Sequence, residues 1–154
     1  MEKLVMTFDE FETLLDRERN NHSTWFRELN RTWPAASDEE IHSTESELEA
    51  KLPDQYVRFL KKYGGGDFCY ARILSVNAGD MMNIVLTNRK YLDGMKFIAF
   101  NDDGTGGYYG FLLKDGMCSD DVYYLDPDDD SDPSKVYDTF CDCLVFIALN
   151  LKQA

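Results

Sequence analysis

The sequence predicts an α+β fold, in which a mainly antiparallel sheet is flanked by N-terminal helices and a C-terminal helix. Capping boxes and helically spaced apolar residues occupy the first part of the chain. Short runs rich in β-branched and aromatic residues, bounded by turn residues, fill the middle, and a helical pattern ends the chain. The strand candidates follow one another too closely for crossover helices, so neighbouring strands are expected to pair antiparallel.

The first helices are recognised by their caps. Thr7 with Glu10, and Ser37 with Glu40, have the spacing of capping boxes, and each pair precedes an apolar stripe. A short helical turn is predicted around residues 25–29, where apolar residues cluster. Three acids crowd the start of the helix after Ser37, which suits the positive end of the helix dipole.

A proline-started helix with a glycine stop follows. Pro53 is expected at the first helical position, where its missing N–H costs nothing. Apolar residues then recur at i, i+3, i+4 and i+7, and residues 64–66, all glycine, end the helix in the left-handed region. The stripe consists of Tyr56, Phe59, Leu60 and Tyr63.

Five strands and one helix are predicted beyond the glycines. The strands are residues 68–74, 82–86, 97–100, 108–113 and 122–125. The last helix is expected from about Ser134, with apolar positions Val136, Tyr137, Phe140, Cys141, Leu144, Ala148 and Leu151.

Length and composition predict one globular domain. A chain of 154 residues with 44% hydrophobic residues can bury a substantial core. No apolar run approaches the ~18 residues that span a membrane, and the first residues do not have the pattern of a signal peptide. We therefore expect a cytoplasmic protein.

The four cysteines, at positions 69, 118, 141 and 143, do not form a metal-binding pattern. There is no CxxC, and the only histidines, His22 and His42, are distant in sequence. Cys141 and Cys143 lie two apart on a predicted helix, so they point to different faces and cannot bridge each other. Reduced, mostly buried thiols without a catalytic role are expected.

Negative charge is concentrated in one part of the chain. The net charge is −13, and residues 101–138 hold 11 aspartates against Lys114 and Lys135. A field of this sign repels nucleic acid and anionic membranes and favours basic partners. Two interpretations stay open: a surface that keeps the protein soluble, or one that captures a basic protein such as a nuclease, whose own groove must bind phosphates.

The order of several residues resembles a known family. The leading group is Trp33, Pro34, Ala35, Ile41, Glu45, Leu48, Leu52, Pro53, Tyr56, Phe59, Leu60, Gly64, Gly65 and Gly66. The later group is Phe97, Ile98, Ala99, Phe100, Gly104, Gly106, Tyr108, Tyr109, Phe111, Val122, Leu125, Asp126, Val136, Phe140 and Leu144. Together they resemble the SUKH superfamily, the Smi/Knr-like domain, over about residues 33–148. Residues 1–154 would then form a single SUKH-like domain, with residues 1–32 as an N-terminal helical extension.

The resemblance implies a binding role. Bacterial members of this superfamily are mostly immunity proteins, which bind and neutralise secreted polymorphic toxins, many of them with nuclease domains. Two positions depart from the family pattern: Glu49 stands where glycine is frequent after the helix, and Gly107 stands where aspartate often precedes the aromatic pair. A role of that aspartate cannot be transferred to position 107, although Asp102 or Asp103 could replace it.

Three motifs suggest other chemistry but lack essential parts. The aspartates at 126, 128, 130 and 132 alternate like a calcium loop, yet Ser131 and Tyr137 stand where glycine and glutamate belong. Residues 104–107 are glycine-rich like a phosphate-binding turn, but no GK[ST] follows, so a tight hairpin turn is favoured. Both histidines have polar neighbours and no catalytic partner in sequence. We expect no enzyme activity, no metal and no cofactor.

The predicted partner-binding surface combines acids with aromatic residues. Adjacent residues of a strand point to opposite faces, so one tyrosine of each pair is expected inside and the other outside. Exposed tyrosine beside aspartate suits an interface with a basic protein. The proposed contacts are Asp102, Asp103, Tyr108, Tyr109, Asp126, Asp128, Asp129 and Asp130.

The functional hypothesis is an immunity protein that occludes the basic groove of a cognate toxin, an RNase or DNase domain. Nucleic acid and membranes are not expected as partners. A homodimer through a sheet edge, or through Trp25 and Phe26, stays open. The alternative is a regulatory protein-interaction module without a toxin partner, as in eukaryotic members of the superfamily.

Overall fold

The computed structural model describes residues 5–129 and 132–151, apart from the side chain of Trp25. The helices are α1 (Phe8–Asn21), α2 (Ser23–Leu29), α3 (Asp38–Leu48), α4 (Asp54–Tyr63), α5 (Ile84–Tyr91) and α6 (Phe140–Ile147). The strands are β1 (Arg31–Thr32), β2 (Gly66–Phe68), β3 (Ala71–Ile73), β4 (Phe97–Asp102), β5 (Tyr108–Lys114), β6 (Met117–Cys118), β7 (Val122–Leu125) and β8 (Ser134–Tyr137). Within these residues, no helix has both the length and the apolar character needed to cross a bilayer.

One antiparallel sheet organises the chain. Its strands lie in the order β1-β2-β3-β4-β5-β7-β8, and β6 pairs with the end of β5. The predicted α+β class is therefore confirmed, with helices around a mainly antiparallel sheet. Strands β4, β5 and β7 lie next to one another in the sheet. Of the predicted binding residues, Asp102, Tyr108 and Tyr109 lie on these strands, and the aspartates at 103, 126, 128, 129 and 130 follow β4 or β7 in the chain.

The main face of the sheet is covered by α1, α4 and α6. Tyr56, Phe100, Phe111 and Phe140 pack ring against ring, with centroids 4.9–6.4 Å apart. The Tyr56 hydroxyl donates to the Leu74 carbonyl at 2.5 Å, so the polar tip of this buried ring is satisfied. The predicted stripe of α4 thus lies in the main core.

The second face is covered mainly by α5. Asn88 accepts from the Ala99 N–H at 2.8 Å and donates to the Ala99 carbonyl at 3.0 Å, which fixes α5 against β4. A small second core lies on this face, formed by Leu92, Phe97, Ala99, Tyr108 and Leu125.

The predicted caps are confirmed. Both hydrogen bonds of each capping box are present, at Thr7 with Glu10 and at Ser37 with Glu40. Gly64 is the C-cap of helix α4, with φ 82°, and a Cβ there would lie 1.9 Å from the Trp33 carbonyl oxygen. Pro53 is the N-cap rather than the first helical residue, so this helix begins one residue later than predicted.

The junction after α3 uses two glutamates. Glu49, at the position where the family often has glycine, adopts a left-handed conformation with φ 52°. Glu45 accepts a hydrogen bond from the Leu52 N–H at 2.8 Å. This bond ties α3 to the start of the next helix, so Glu45 has a structural role.

The single strand predicted for residues 68–74 is wrong. The segment is the hairpin β2–β3, whose turn holds Cys69 at φ 53°. No glycine or proline marks this turn. Instead Asn30 accepts from the Cys69 N–H at 3.2 Å, and the Tyr70 N–H donates to the Ala148 carbonyl, so tertiary contacts hold a turn that local sequence does not reveal.

The strand predicted for residues 82–86 is also wrong. Asn83 caps a helix there by accepting from the Leu86 N–H at 2.9 Å, and α5 begins at Ile84. The β-branched pair Ile84 and Val85 favours a strand by propensity, but its side chains are buried by helical packing instead.

The last helix starts later than predicted. Residues 134–137 form β8, which pairs with β7, and α6 begins at Phe140 after the Thr139 cap. The Thr139 hydroxyl accepts from the Asp142 N–H at 3.2 Å. Val136 and Tyr137 therefore belong to the sheet, although their spacing to Phe140 fits a helix.

Candidate protein-binding surface

Three strand ends meet at one end of the sheet. In the register, Asp102 of β4 pairs with Tyr108 of β5, and Tyr108 pairs with Leu125 of β7. The sheet therefore brings the loop after β4 and the loop after β7 side by side, although they are separated in sequence. We call the aspartates here the acidic end: Asp102, Asp103, Asp126, Asp128 and Asp129. Asp130, also predicted as a contact, lies outside the described residues.

Asp103 organises the loop between β4 and β5. Its carboxylate accepts from the Thr105 N–H and hydroxyl, both at 2.8 Å, from the Gly107 N–H at 3.1 Å, and from the Tyr124 hydroxyl at 2.5 Å. Partial burial by itself would raise the pKa of Asp103, but these hydrogen bonds favour the charged carboxylate and leave its pKa below the usual value. The bond to Asp103 also raises the pKa of Tyr124 to about 12.

Gly107 is required by this arrangement. A Cβ at Gly107 would lie 1.8 Å from the Tyr124 hydroxyl oxygen and 2.9 Å from an Asp103 carboxylate oxygen. The space next to residue 107, where the family often places an aspartate, is thus filled by the side chains of Asp103 and Tyr124. The carboxylate at this point of the hairpin is therefore that of Asp103.

The other described aspartates also shape their own loops. Asp102 accepts from the Gly104 N–H at 2.9 Å, and Asp126 accepts from the Asp128 N–H at 3.0 Å. Both are Asx turns, in which the side chain imitates a backbone turn. Asp128 and Asp129 are exposed, and the Asp129 N–H donates to the Asp126 carbonyl at 3.1 Å. The carboxylates of Asp102 and Asp126, which these hydrogen bonds hold in place, lose little conformational freedom on binding.

The tyrosines occupy both faces of the sheet. Tyr108 belongs to the second core and is 7% exposed, so it supports the acidic end from inside. Tyr109 is half-buried against the main core, and its ring lies 5.0 Å from that of Tyr124. The two rings lie on opposite faces, but the prediction that one tyrosine of each pair lies outside is wrong, because side chains pack against both rings. Tyr123 and Tyr124 are both half-buried.

Sequence reasoning missed Tyr70 as a surface residue. It lies in the turn of the β2–β3 hairpin, is 54% exposed, and lines a cleft of about 470 Å³ together with Asp102 and Asp103. Arg72 lines the same cleft and pairs with Asp67 at 3.2 Å. The missed hairpin explains the missed tyrosine, because a continuous strand would not project it at a tip.

The glycine-rich loop is unsuited to phosphate. It is the tight hairpin turn that the sequence favours, between β4 and β5. Its Gly104, Thr105 and Gly107 N–H groups, which could contact a phosphate, donate to aspartate side chains instead. These carboxylates also repel a second anion.

The cysteines are poor nucleophiles. Cys69, Cys141 and Cys143 are buried and Cys118 is half-buried, and none forms a disulfide, which confirms the predicted mostly buried thiols. Burial raises the pKa of the Cys69 thiol to about 11 and that of Cys118 to about 12. Reactive thiolates need the opposite shift. Among the described residues, no group of three histidine, cysteine, aspartate or glutamate side chains is placed to hold a metal ion.

Comparison with known families gives one informative match. The family model described as SMI1-KNR4 cell-wall matches residues 38–144, more than two thirds of the chain. The match lies inside the range predicted from the order of residues and includes β4, β5 and β7, which frame the acidic end. None of the curated proteins compared with the chain matches it significantly.

Proposed function

Because the chain belongs to the SMI1-KNR4 (SUKH) family, we propose that it is an immunity protein that binds and neutralises a cognate toxin in the cytoplasm of the producing cell. The toxin partner is a basic nuclease domain, acting on RNA or DNA. The observation that carries this proposal is the acidic end, where aspartates from two loops are fixed beside one another by hydrogen bonds to the backbone.

The mechanism is occlusion of the toxin's substrate groove. A nuclease groove is basic because it binds phosphates, and the carboxylates of the acidic end present a similar row of negative oxygens. Asp102 and Asp126 keep their backbone hydrogen bonds, while the exposed Asp128 and Asp129 meet lysine or arginine of the toxin. The Asp103–Tyr124 contact keeps the two loops in register.

Charge also accelerates the encounter. The protein carries a net charge of −13, and a basic partner is drawn toward it before contact. Such steering raises association rates by about 10- to 1,000-fold at low salt and is screened within roughly 10 Å at 0.1 M salt. Rapid capture suits an inhibitor of a lethal enzyme, because few free toxin molecules are tolerated.

The proposal is tested with a candidate toxin domain, taken from the C-terminus of the protein that the neighbouring gene encodes. The domain is expressed alone, with this protein, and with a variant in which Asp126 and Asp128 are changed to asparagine. We expect killing by the domain alone, normal growth and a co-purifying complex with the wild-type protein, and weaker protection by the variant. Size-exclusion chromatography of the complex also reports whether the protein enters as a monomer or as a dimer.

The matched control changes Asp16 and Glu39 to asparagine and glutamine. Both residues are exposed on helices, and the control removes the same two charges as the test variant. Protection by this control equal to wild type would localise the effect at the acidic end. Killing that continues in the presence of the wild-type protein, with no complex, would contradict the immunity function and leave a regulatory interaction module as the alternative.

A further inference from the structure

The second face of the sheet contains an apolar groove next to the acidic end. Its volume is about 620 Å³, within the range of about 300–1,000 Å³ typical of ligand pockets. We call it the sheet groove; its apolar lining consists of Met95, Phe97, Leu112, Leu125, Pro127 and Pro133.

The floor of the sheet groove follows from the strand register. Phe97 of β4 pairs with Leu112 of β5, so these two side chains lie next to each other on one face. Tyr108 precedes Leu112 by four residues and pairs with Leu125, which places Leu125 on the same face one strand further. Apolar side chains from three adjacent strands therefore form a continuous floor.

The groove exists because α5 covers only part of this face. The helix is fixed to β4 through Asn88 and ends at Tyr91, and the chain then turns at Gly94 with φ 81°. Met95 after the turn is 41% exposed, and Leu112 is only half-buried. On the main face, by contrast, Phe100 and Phe111 are completely buried, and Phe140 of α6, whose ring packs against both, is 1% exposed.

The rim of the sheet groove is mainly acidic. Among the described residues that line it, Asp129 and Asp132 are acidic and Lys96 is basic. Asp126 and Asp128 lie in the same loop as Pro127, so the groove continues into the acidic end. An occupant must therefore combine an apolar group for the floor with positive charge for the rim.

We propose that the sheet groove receives an apolar side chain of the toxin, flanked by lysine or arginine residues that meet the acidic end. This inference rests on the proposed function. It adds a specific apolar contact to the charge attraction between the two proteins. Long-range charge raises the association rate, whereas a desolvated apolar anchor slows dissociation. A second copy of this chain fits less well, because two molecules of net charge −13 would approach through their acidic rims.

Methionine methyl groups report occupancy without altering the protein. The full chain is labelled with ¹³C at the methionine methyls and titrated with the catalytically inactive toxin domain. Met95 lines the sheet groove, while Met81 is 83% exposed in the loop before α5 and Met117 is 54% exposed on β6. We expect the Met95 signal to shift or broaden with the stoichiometry of the complex, and the Met81 signal to stay unchanged.

Alanine variants measure how much the apolar lining of the sheet groove contributes to the affinity for the toxin domain. Met95→Ala and Leu112→Ala shorten the apolar lining, and we expect each to weaken binding at least tenfold, mainly through faster dissociation. Met81→Ala and Met117→Ala are the matched controls and should bind within about twofold of wild type. Far-ultraviolet circular dichroism and the unfolding midpoint of each variant separate loss of contact from loss of fold.

The outcomes separate this inference from the proposed function. If the wild-type protein forms the complex and protects cells, yet the Met95 signal is unchanged and both groove variants bind normally, the groove anchor is wrong and the immunity function stands. If the wild-type protein neither binds nor protects, the proposed function fails and this inference fails with it. A shifted Met95 signal together with tenfold weaker groove variants supports both.

Discussion

The two faces of the sheet share the same strands but differ in what covers them. The main face lies under α1, α4 and α6 and contains an aromatic cluster around Tyr56 and Phe100. The second face lies mainly under α5, has a core of five buried residues, and leaves the sheet groove open. Our proposal therefore assigns stability mainly to the main face and recognition to the second face, so that adjacent residues of one strand have different roles.

The largest expected effect compares two neighbours in β5. Phe111 on the main face is 0% exposed and contacts the rings of Tyr56 and Phe100, while Leu112 faces the sheet groove and is half-buried. We expect Phe111→Ala to lower the free energy of unfolding by about 3–5 kcal/mol. Leu112→Ala should cost less than about 1.5 kcal/mol, since its site is already partly solvated. Urea denaturation measures both, and equal losses would contradict the division between faces.

The next largest effect concerns the junction between α3 and α4. Glu45→Ala removes the acceptor of the Leu52 N–H and leaves that donor without its partner. We expect a loss of about 1.5–3 kcal/mol, the range for a hydrogen bond to a charged group. Glu45→Gln keeps an acceptor and should cost clearly less, so equal losses in thermal or urea denaturation would refute the capping role.

At the acidic end the expected effect depends on pH. Asp103→Asn removes a carboxylate whose folded-state pKa lies below that of an unfolded aspartate, about 3.9. The stabilisation by the charged form is therefore present above that value and is lost as pH falls through the folded pKa. We expect the variant to be less stable by about 1–2 kcal/mol near neutral pH, with the difference shrinking below about pH 4.

The Tyr124 hydroxyl offers a second test of the same loop. Tyr124→Phe removes a donor to Asp103, so the pKa of Asp103, followed by NMR of its carboxyl carbon, should rise toward the ordinary value. Tyr123→Phe is the matched control, since Tyr123 lies on the other face and packs against the second core. A rise in both variants, or in neither, would contradict the role given to this hydrogen bond.

The smallest expected effect is a gain in stability. Glu49 holds a left-handed conformation at φ 52°, which costs a non-glycine residue about 1 kcal/mol. We expect Glu49→Gly to raise the free energy of unfolding by about 0.5–1 kcal/mol, in agreement with the glycine that is frequent there in the family. Glu49→Ala keeps the backbone strain and should not raise the free energy of unfolding. A similar increase for alanine would attribute the effect to the lost negative charge rather than to the backbone conformation.

Elements with local signals were predictable from sequence. The capping boxes at Thr7 and Ser37, the stripe of α4 and the strands β4, β5 and β7 depend on neighbours within a few residues. The β2–β3 turn was not predictable because Asn30 and Ala148 hold it from far along the chain. The α5 helix was mistaken for a strand because its caps and packing outweigh the propensity of Ile84 and Val85.

For the candidate binding surface, only the negative charge was predictable from the sequence. Clustered aspartates predict an acidic patch. They do not predict that the Asp103 carboxylate accepts hydrogen bonds from Thr105, Gly107 and Tyr124. The position of Tyr108 inside the second core follows from coverage of both faces, which strand alternation does not reveal. The sheet groove depends on where α5 ends relative to β4 and β5, so no local pattern identifies it.

The most direct test of the account is the salt dependence of association with the inactive toxin domain. Stopped-flow rates are compared between about 50 mM and 500 mM salt for wild type, for Asp126→Asn with Asp128→Asn, and for Asp16→Asn with Glu39→Gln. We expect the wild-type rate to fall at least about tenfold as salt rises, and the acidic-end variant to associate more slowly than the control at low salt. A rate that is independent of salt, or equal in both variants, would contradict capture through the acidic end.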